Sequence, residues 1–298
     1  MSLTGKLKRF DLIINKVERT KYPSLQVILK YLENYGHTVT ARTLQRDLEE
    51  LKSEFKIFIE YSSFNRGYFI EKDSMSDNVI QFIKNMTLQA NLLDFAKLGE
   101  HPNAIILKEN HALKGVEFIP QILTAIQQQL QIDFSYQAFE KDKPKNYTVQ
   151  AYALKEYLGR WYMVACSTNR KGIVKFGVDR ILSMTITEVK FKKDKQIDLS
   201  AYFSRMIGII DEGVACEQVI LSFTPMQAKY VRTLPWHWSQ EEVLTNDKEV
   251  HFEYFILTNY ELMQKILSYG NTVTVVKPAT LKKEHQRYLK EALAQYKK

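Results

Sequence analysis

Arg42, Thr43, Gln45 and Arg46 fall within five consecutive positions, and their side chains carry the donors that base edges and phosphates accept. A guanidinium can place two parallel hydrogen bonds on guanine O6 and N7, and a carboxamide can do the same on adenine. A threonine at a helix start, beside backbone N–H groups that no helical carbonyl accepts, suits a phosphate oxygen. Lys56 and Arg66 lie a little further along and supply cations for the flanking phosphate backbone. The remaining reactive residues show no comparable organisation. The six histidines are scattered, and none has the His-x-x-x-His or His–Cys spacing of a zinc site. There is no glycine-rich phosphate loop, no Gly-x-Ser-x-Gly elbow and no recognisable catalytic set. The expectation is therefore a protein that is not an enzyme and that carries no metal or cofactor. Trp236-His237-Trp238 could stack a nucleobase, although such clusters more often pack a turn or an oligomer contact.

Several elements are needed to position those donors. Thr40 is a suitable N-cap for a helix running to about Lys52. On it Leu44, Leu48 and Leu51 share one arc and should face a core. Arg42, Arg46, Glu49 and Ser53 then project from the opposite side, with Thr43 and Gln45 on the flanks. Asp47 is expected to pair inside its own domain. Before this helix, Leu7, Phe10, Ile13, Ile14 and Val17 predict a helix over about 5–20. Pro23 suits the start of a second helix, which carries Leu25, Ile28, Leu29 and Leu32 and stops at Gly36. After it, Ile57, Ile59 and Tyr61 alternate, and Gly67–Ile70 offers a partner strand across the turn SSFNRG. Three helices and a hairpin in some 70 residues make a winged helix-turn-helix. The outward charges alone would equally make a solvated helix face. The third place in a three-helix set, with a hairpin behind, favours contact with DNA.

Charge agrees with that preference. The 298-residue chain has a net charge of +8, and residues 1–72 hold 8 Lys and 5 Arg against 9 Asp and Glu, a net of +4 in a quarter of the length. A small basic domain is the electrostatic footprint of a phosphate-backbone reader. Overall, 45% hydrophobic and 26% charged residues are ordinary for a globular protein. No apolar run is long enough to span a bilayer, and the basic N-terminus lacks the features of a signal peptide. Two cysteines are too few for a disulfide framework, so a reducing cytoplasm is expected.

Beyond residue 72 the pattern changes. Lys72–Asp77 reads as a polar linker, followed by helices at about 76–98 and 119–131 around an irregular stretch near His101–Gly115. From Ile132 the period becomes two, with strands at 132–139, 147–154, 161–167, 173–178 and 183–192, which suits a five-strand barrel. A charged break at 192–196 and a short helix near 199–207 follow. Strand 217–223, helix 225–234, strands 240–244 and 249–257, helix 259–268 and strand 272–276 then give a ferredoxin-like βαββαβ order. A helix over 281–296 completes the chain. It carries Lys282, Lys283, Arg287 and Lys290 against Glu284 and Glu291, which reads either as a solvated face or as a nucleic-acid contact.

Three segments resemble a known family in its own order. Arg160–Ala165 (RWYMVA) with Phe176–Ile181 (FGVDRI) resembles the core of a WYL domain, a small Sm-like barrel of bacterial regulators. Thr40–Lys52 (TARTLQRDLEELK) resembles the recognition helix of the winged helix-turn-helix found in front of such domains. Ile266–Tyr296 resembles their C-terminal extension, called WCX. The resemblance implies an α+β multidomain chain: a winged helix-turn-helix over 1–72, a helical linker region over 73–131, an Sm/SH3-like five-strand WYL barrel over 132–195, and a ferredoxin-like WCX domain over 196–298. It implies a homodimeric transcriptional regulator that binds a palindromic duplex operator under control of a nucleotide or nucleic-acid fragment. The alternative is a nucleic-acid-sensing accessory protein that binds single strands and modulates a separate enzyme.

The family's ligand patch is built from the motif tyrosine and basic groups nearby. The matching positions here are Tyr162 and Arg180, with Lys155 just ahead of the motif and Tyr136 added by its placement on the first strand. A tyrosine hydroxyl and an arginine fork suit a phosphate. The chain departs from the pattern in three places. Val174 stands where the family often has arginine, and Lys175 should point to the opposite face. Tyr147 and Ala151 stand where an arginine and a proline are usual.

Overall fold

Phe10, Ile13, Ile14 and Val17 line one face of α1 (Leu3–Arg19), and all four are buried. A computed structural model of the chain describes residues 3–71, 74–96, 114–167 and 172–296. It divides into two units, Met1–Asn110 and His111–Lys298. In the first, α2 (Leu25–Asn34) adds Ile28 and Leu32 to the α1 core, and α3 (Ala41–Ser53) adds Leu44, Leu48 and Leu51. Helices of 10 and 13 residues are marginal alone in water. Each buried leucine or isoleucine contributes about 1.5–3 kcal/mol, so tertiary packing holds them.

The caps mark where these helices begin. Thr40 Oγ1 accepts the Thr43 N–H at 3.2 Å, as expected. The second helix is capped by Ser24, whose Oγ accepts the Val27 N–H at 3.4 Å, so Pro23 precedes the cap and is not the first helical residue. Gly36 takes the left-handed position after α2, at φ +80°. Strands β1 (Ile59–Ser62) and β2 (Gly67–Ile70) pair antiparallel, with Ile59 opposite Ile70. Strand β2 is fixed at its base, because the Tyr68 N–H donates to Pro23 O at 2.9 Å. A Cβ on Gly67 would lie 2.0 Å from Tyr22 O, so only glycine fits. The expected linker Lys72–Asp77 is helical from Ser74, where α4 (Ser74–Ala96) begins and sends Ile80 and Ile83 into the same core. Most of the irregular stretch near His101–Gly115 lies outside the described residues.

The second unit starts with α5 (Ile119–Gln128), which ends where Gln129 turns left-handed at φ +54°. Strand β3 (Leu130–Tyr136) therefore begins two residues ahead of expectation. It is followed by β4 (Lys145–Tyr157), β5 (Arg160–Ser167), β6 (Ile173–Gly177) and β7 (Ile181–Lys190), in the antiparallel order β6-β5-β4-β3-β7. Strands β6 and β7 are the two edges, yet only the 3-10 turn Val178–Arg180 separates them. Five flat strands would put those edges about 19 Å apart, and a 3-10 turn rises only about 2 Å per residue. The sheet must therefore curl until its edges approach. The Gly177 N–H reaches across to Tyr136 Oη at 3.2 Å. Among the described residues no hydrogen-bonded pairing joins β6 to β7. Phe134, Tyr136, Val149, Ala151, Met163, Ala165 and Phe176 fill the inside of the curl against Ile122 and Ala125 of α5.

Helix α6 (Leu199–Phe203) is shorter than the expected 199–207. Beyond it run β8 (Glu217–Phe223), α7 (Pro225–Thr233), β9 (Glu241–Thr245), β10 (Val250–Ile256), α8 (Tyr260–Ser268), β11 (Val273–Lys277) and α9 (Ala279–Gln295). The sheet order β11-β8-β10-β9 places the fourth strand beside the first and the third between first and second, as in ferredoxin-like folds. Val219, Leu221, Phe223, Phe252 and Tyr254 pack beneath Val231 of α7 and Leu262 and Ile266 of α8.

Candidate functional site

Helix α3 presents Arg42, Gln45 and Arg46 as exposed side chains, whereas Leu44, Asp47, Leu48 and Leu51 are buried. Asp47 is held from the inside. Arg9 of α1, itself 1% exposed, donates one terminal N–H to Asp47 Oδ1 at 2.9 Å and its Nε–H to Oδ2. That fork ties α3 to α1 through its buried face, which Asp47 shares with Leu44, Leu48 and Leu51. Thr43 is half-buried, its hydroxyl 3.1 Å from that of Thr40. Lys56 folds back to donate to Ser53 O at 2.7 Å, from a left-handed backbone at φ +56°. Arg66 is exposed in the hairpin turn at φ +52°. A Lys52–Glu60 ion pair of 2.8 Å joins the end of α3 to β1. Burial lowers the pKa of His37, reinforced by Arg9 and Lys8, so its imidazole stays neutral at neutral pH.

The four candidate residues of the five-strand sheet are only partly brought together. Arg180 lies over the rings of Tyr136 and Phe139, 5.4 and 4.8 Å from their centres. Its Nε is 3.5 Å from Asp179 Oδ1, while Asp179 Oδ2 accepts from Arg160 at 2.9 Å. Asp179 Oδ1 and Arg180 Nε are buried and have no hydrogen-bond partner among the described residues. Gly177 makes this arrangement possible, since a Cβ there would sit 2.3 Å from an Arg180 terminal nitrogen. Tyr136 is buried, and its hydroxyl accepts the Gly177 N–H. Lys155, Tyr162 and Gly177 stand side by side across β4, β5 and β6. Burial raises the pKa of Tyr162, against the pull of Arg180 and Arg160, so it remains a hydroxyl donor. Lys155 lies 4.8 Å over the Phe203 ring, and burial lowers its pKa.

Two features have little signature in the sequence. The first is a cavity of about 650 Å³ in the curled sheet, where Phe134, Tyr147, Val174, Phe176 and Met184 line it together with Lys145, Asp133 and several hydroxyl and amide side chains. None of Tyr136, Lys155, Tyr162 and Arg180 lines it. Two of the three departures from the family pattern, Tyr147 and Val174, do line it, while Ala151 is in the core. Lys175 donates instead to Tyr202 Oη at 2.8 Å. The second feature is Glu261, buried at the start of α8. It accepts the Ile209 and Ile210 N–H groups at 3.0 and 2.8 Å and an Asn259 side-chain N–H at 3.1 Å. The only trace of it in sequence is the helix-capping Asn259 two residues earlier.

The Trp236-His237-Trp238 cluster packs a loop. Trp236 is in the ferredoxin-like core, and the ring nitrogens His237 Nε2 and Trp238 Nε1 both reach Ser204 O, at 2.6 and 2.7 Å. On α9, Arg287 pairs with Glu291 at 2.9 Å. Among the described residues no group of His, Cys, Asp and Glu could hold a metal ion, and no helix is long and apolar enough to cross a membrane.

Family models match the chain in two places, a WYL domain over residues 117–186 and a WCX domain over residues 217–293. The first covers α5 and most of the curled sheet, and the second covers the ferredoxin-like sheet with nearly all of α9. No protein of curated function matches the sequence. Among solved structures, one similar chain is the proteasome accessory factor B/C (PafBC) of Arthrobacter aurescens, at 19% identity and a TM-score of 0.33. That match covers 96% of this chain but 46% of the other, so this chain spans about half the length of its relative. Another is described as a CRISPR Cas-related protein, at 12% identity and a TM-score of 0.38, covering 100% of this chain and 87% of that one. Similarity at that level does not establish a shared fold.

Proposed function

The chain belongs to the WYL-domain proteins and carries a WCX domain behind its WYL domain, and from that premise we propose that it is a DNA-binding transcriptional regulator under ligand control. The first unit reads duplex DNA as a winged helix-turn-helix, with α3 in the major groove. Arg42, Gln45 and Arg46 address base edges, and Thr43, Lys56 and Arg66 address phosphates. The observation that carries this reading is α3 itself, tied to α1 by the Arg9–Asp47 fork on its buried face and presenting its two arginines and its glutamine outward. A homodimer would set two such helices on half-sites one helical turn apart, so the natural target is a palindromic operator. The curled sheet is the sensor, closed as a barrel around its core, with Tyr162 and Arg180 offering a phosphate a hydroxyl and a guanidinium. The regulator acts in the cytoplasm and performs no catalysis of its own.

A ligand regulates only if it binds the DNA-competent and DNA-incompetent arrangements with different affinity. The deciding experiment is a salt-titrated duplex-binding assay comparing DNA upstream of the gene with scrambled competitor. Preference for the upstream duplex, lost on Arg42→Ala with Arg46→Ala, is the expected result. Equal and steeply salt-dependent binding to both duplexes, or single-strand binding that survives the double substitution, would favour the accessory reading instead.

A further inference from the structure

Phe64 is 95% exposed at the tip of the β1–β2 hairpin, the highest value among the large hydrophobic side chains described. At that exposure its ring has almost no packing against the other described residues. The turn that carries it is nevertheless well ordered. Ser62 Oγ accepts both the Asn65 backbone N–H, at 3.2 Å, and the Asn65 side-chain N–H, at 3.1 Å. Below the turn, Gly67 is pressed against Tyr22, and Tyr68 is bonded to Pro23. The hairpin is therefore a stiff arm holding an aromatic ring in solvent, with Asn65 and the exposed Arg66 directly behind it.

We infer that Phe64 is a wedge that enters the minor groove of bound duplex DNA and partly unstacks one base step, with Arg66 beside it. This rests on the reading of α3 as the major-groove helix. The lengths agree with it. The Lys52–Glu60 pair roots β1 beside the end of α3, and a four-residue strand extends about 13 Å, with the turn and the phenyl group beyond. The centres of neighbouring major and minor grooves are about 17 Å apart, half of a helical turn. Apolar side chains inserted between base steps are an established way to unstack DNA from the minor groove, and arginine is favoured in that narrow, negative groove. A solvated ring elsewhere on the surface would need no such setting. Here the partner is an anion, and the arm lies in a first quarter of the chain that carries a net charge of +4.

The probe is a short duplex selected by the intact chain from a randomised pool, with 2-aminopurine placed in turn at each step flanking the protected bases. Wild-type protein should raise the fluorescence at one step or two adjacent ones. Phe64→Ala should abolish that rise and weaken binding about ten-fold, the scale of one lost base–aromatic contact. Phe64→Leu, still an apolar wedge, should keep part of both. Because the side chain is solvated, all three proteins should melt alike. Enrichment of a duplex whose affinity and fluorescence are unchanged by Phe64→Ala would overturn the wedge and leave the DNA reading standing. Failure to enrich any duplex would overturn the DNA reading and the wedge with it. A Phe64→Ala protein that sediments as a smaller species would assign the ring to a second copy of the chain, which also overturns the wedge.

Discussion

Arg9 on α1 and Asp47 on α3 form a bidentate ion pair in the interior of the first unit, at 1% and 0% side-chain exposure. Removing one partner strands the other charge away from water, which costs about 3–5 kcal/mol, whereas replacing both with apolar groups is often neutral. Asp47→Asn or Arg9→Met alone should therefore lower the denaturation midpoint strongly. The pair Arg9→Met with Asp47→Leu should recover most of the loss. If the pair mainly fixes the rotation of α3, the recovered double variant will still bind duplex DNA less selectively than wild type. Equal selectivity would show that leucine packing alone orients the helix.

Two glycines should respond differently to the same added methyl group. Gly208 sits at φ +81°, and its Cβ would lie 2.4 Å from the Glu261 carboxyl carbon. Gly208→Ala should cost about 1–3 kcal/mol from backbone strain, with steric conflict in addition. Gly177 is at φ −63°, and the nearest atoms to its alanine Cβ would be the ends of the Asp179 and Arg180 side chains. Gly177→Ala should leave stability within about 1 kcal/mol but push the guanidinium off Tyr136. Thermal melts with tyrosine fluorescence separate the cases. A larger melting loss at Gly177 than at Gly208 would contradict this ordering.

Glu261 predicts an unusual pH trend. Burial is the largest influence and raises its pKa above the ordinary 4.5, against the Ile210 and Ile209 N–H donors and Lys175. A carboxyl with a raised folded-state pKa binds more protons folded than unfolded. Its contribution is therefore fully present below about pH 4.5 and is lost as pH rises through the raised value. The difference in stability between wild type and Glu261→Gln should accordingly shrink with rising pH across that window. Glu261→Gln should still be destabilising at neutral pH, because its NH2 group would face a backbone N–H and leave it unpaired, at about 1–3 kcal/mol. A glutamine variant as stable as wild type at neutral pH would mean that the three donors do not offset the burial of the charge.

The helices of the first unit were legible because their apolar residues recur at helical spacing and their ends carry Thr40 and Gly36. Arg9 was not, since a lysine- and arginine-rich helix start reads as solvated, and only the fold brings it to a residue 38 positions away. The five strands were legible by alternation, which separates two faces without saying which one packs inside. Alternation says nothing of how far the curl closes, so the cavity lined by residues of all five strands had no signal. Strand β4 runs to Tyr157, three residues past expectation, because Lys155 and Glu156 look like a break and are in fact paired with Tyr162 and Trp161. Glu261 is hidden for the same reason as Arg9: its partners lie about 50 residues earlier.

The cavity in the curled sheet makes a sharper test of the ligand than the motif residues do. It has a single basic group, Lys145, which rests over the Tyr147 ring at 5.4 Å, and its walls mix the Phe134, Tyr147 and Phe176 rings with the polar side chains of Asp133, Asn146, Thr148, Ser167 and Ser183. If a nucleotide or short oligonucleotide is the ligand, Arg180 and Tyr162 must hold it outside this cavity, which neither residue lines. A fluorescent single-stranded oligonucleotide should then bind wild type weakly, and Arg180→Ala should lose about ten-fold or more, the scale of a charge-assisted contact. Val174→Arg should strengthen binding, because it places a guanidinium on the cavity wall within reach of a second phosphate. Weak binding unaffected by either substitution would move the site away from this sheet. No binding by wild type or by Val174→Arg would instead argue against a phosphate-bearing ligand and for an uncharged one that meets the cavity's hydroxyls and amide as well as its rings.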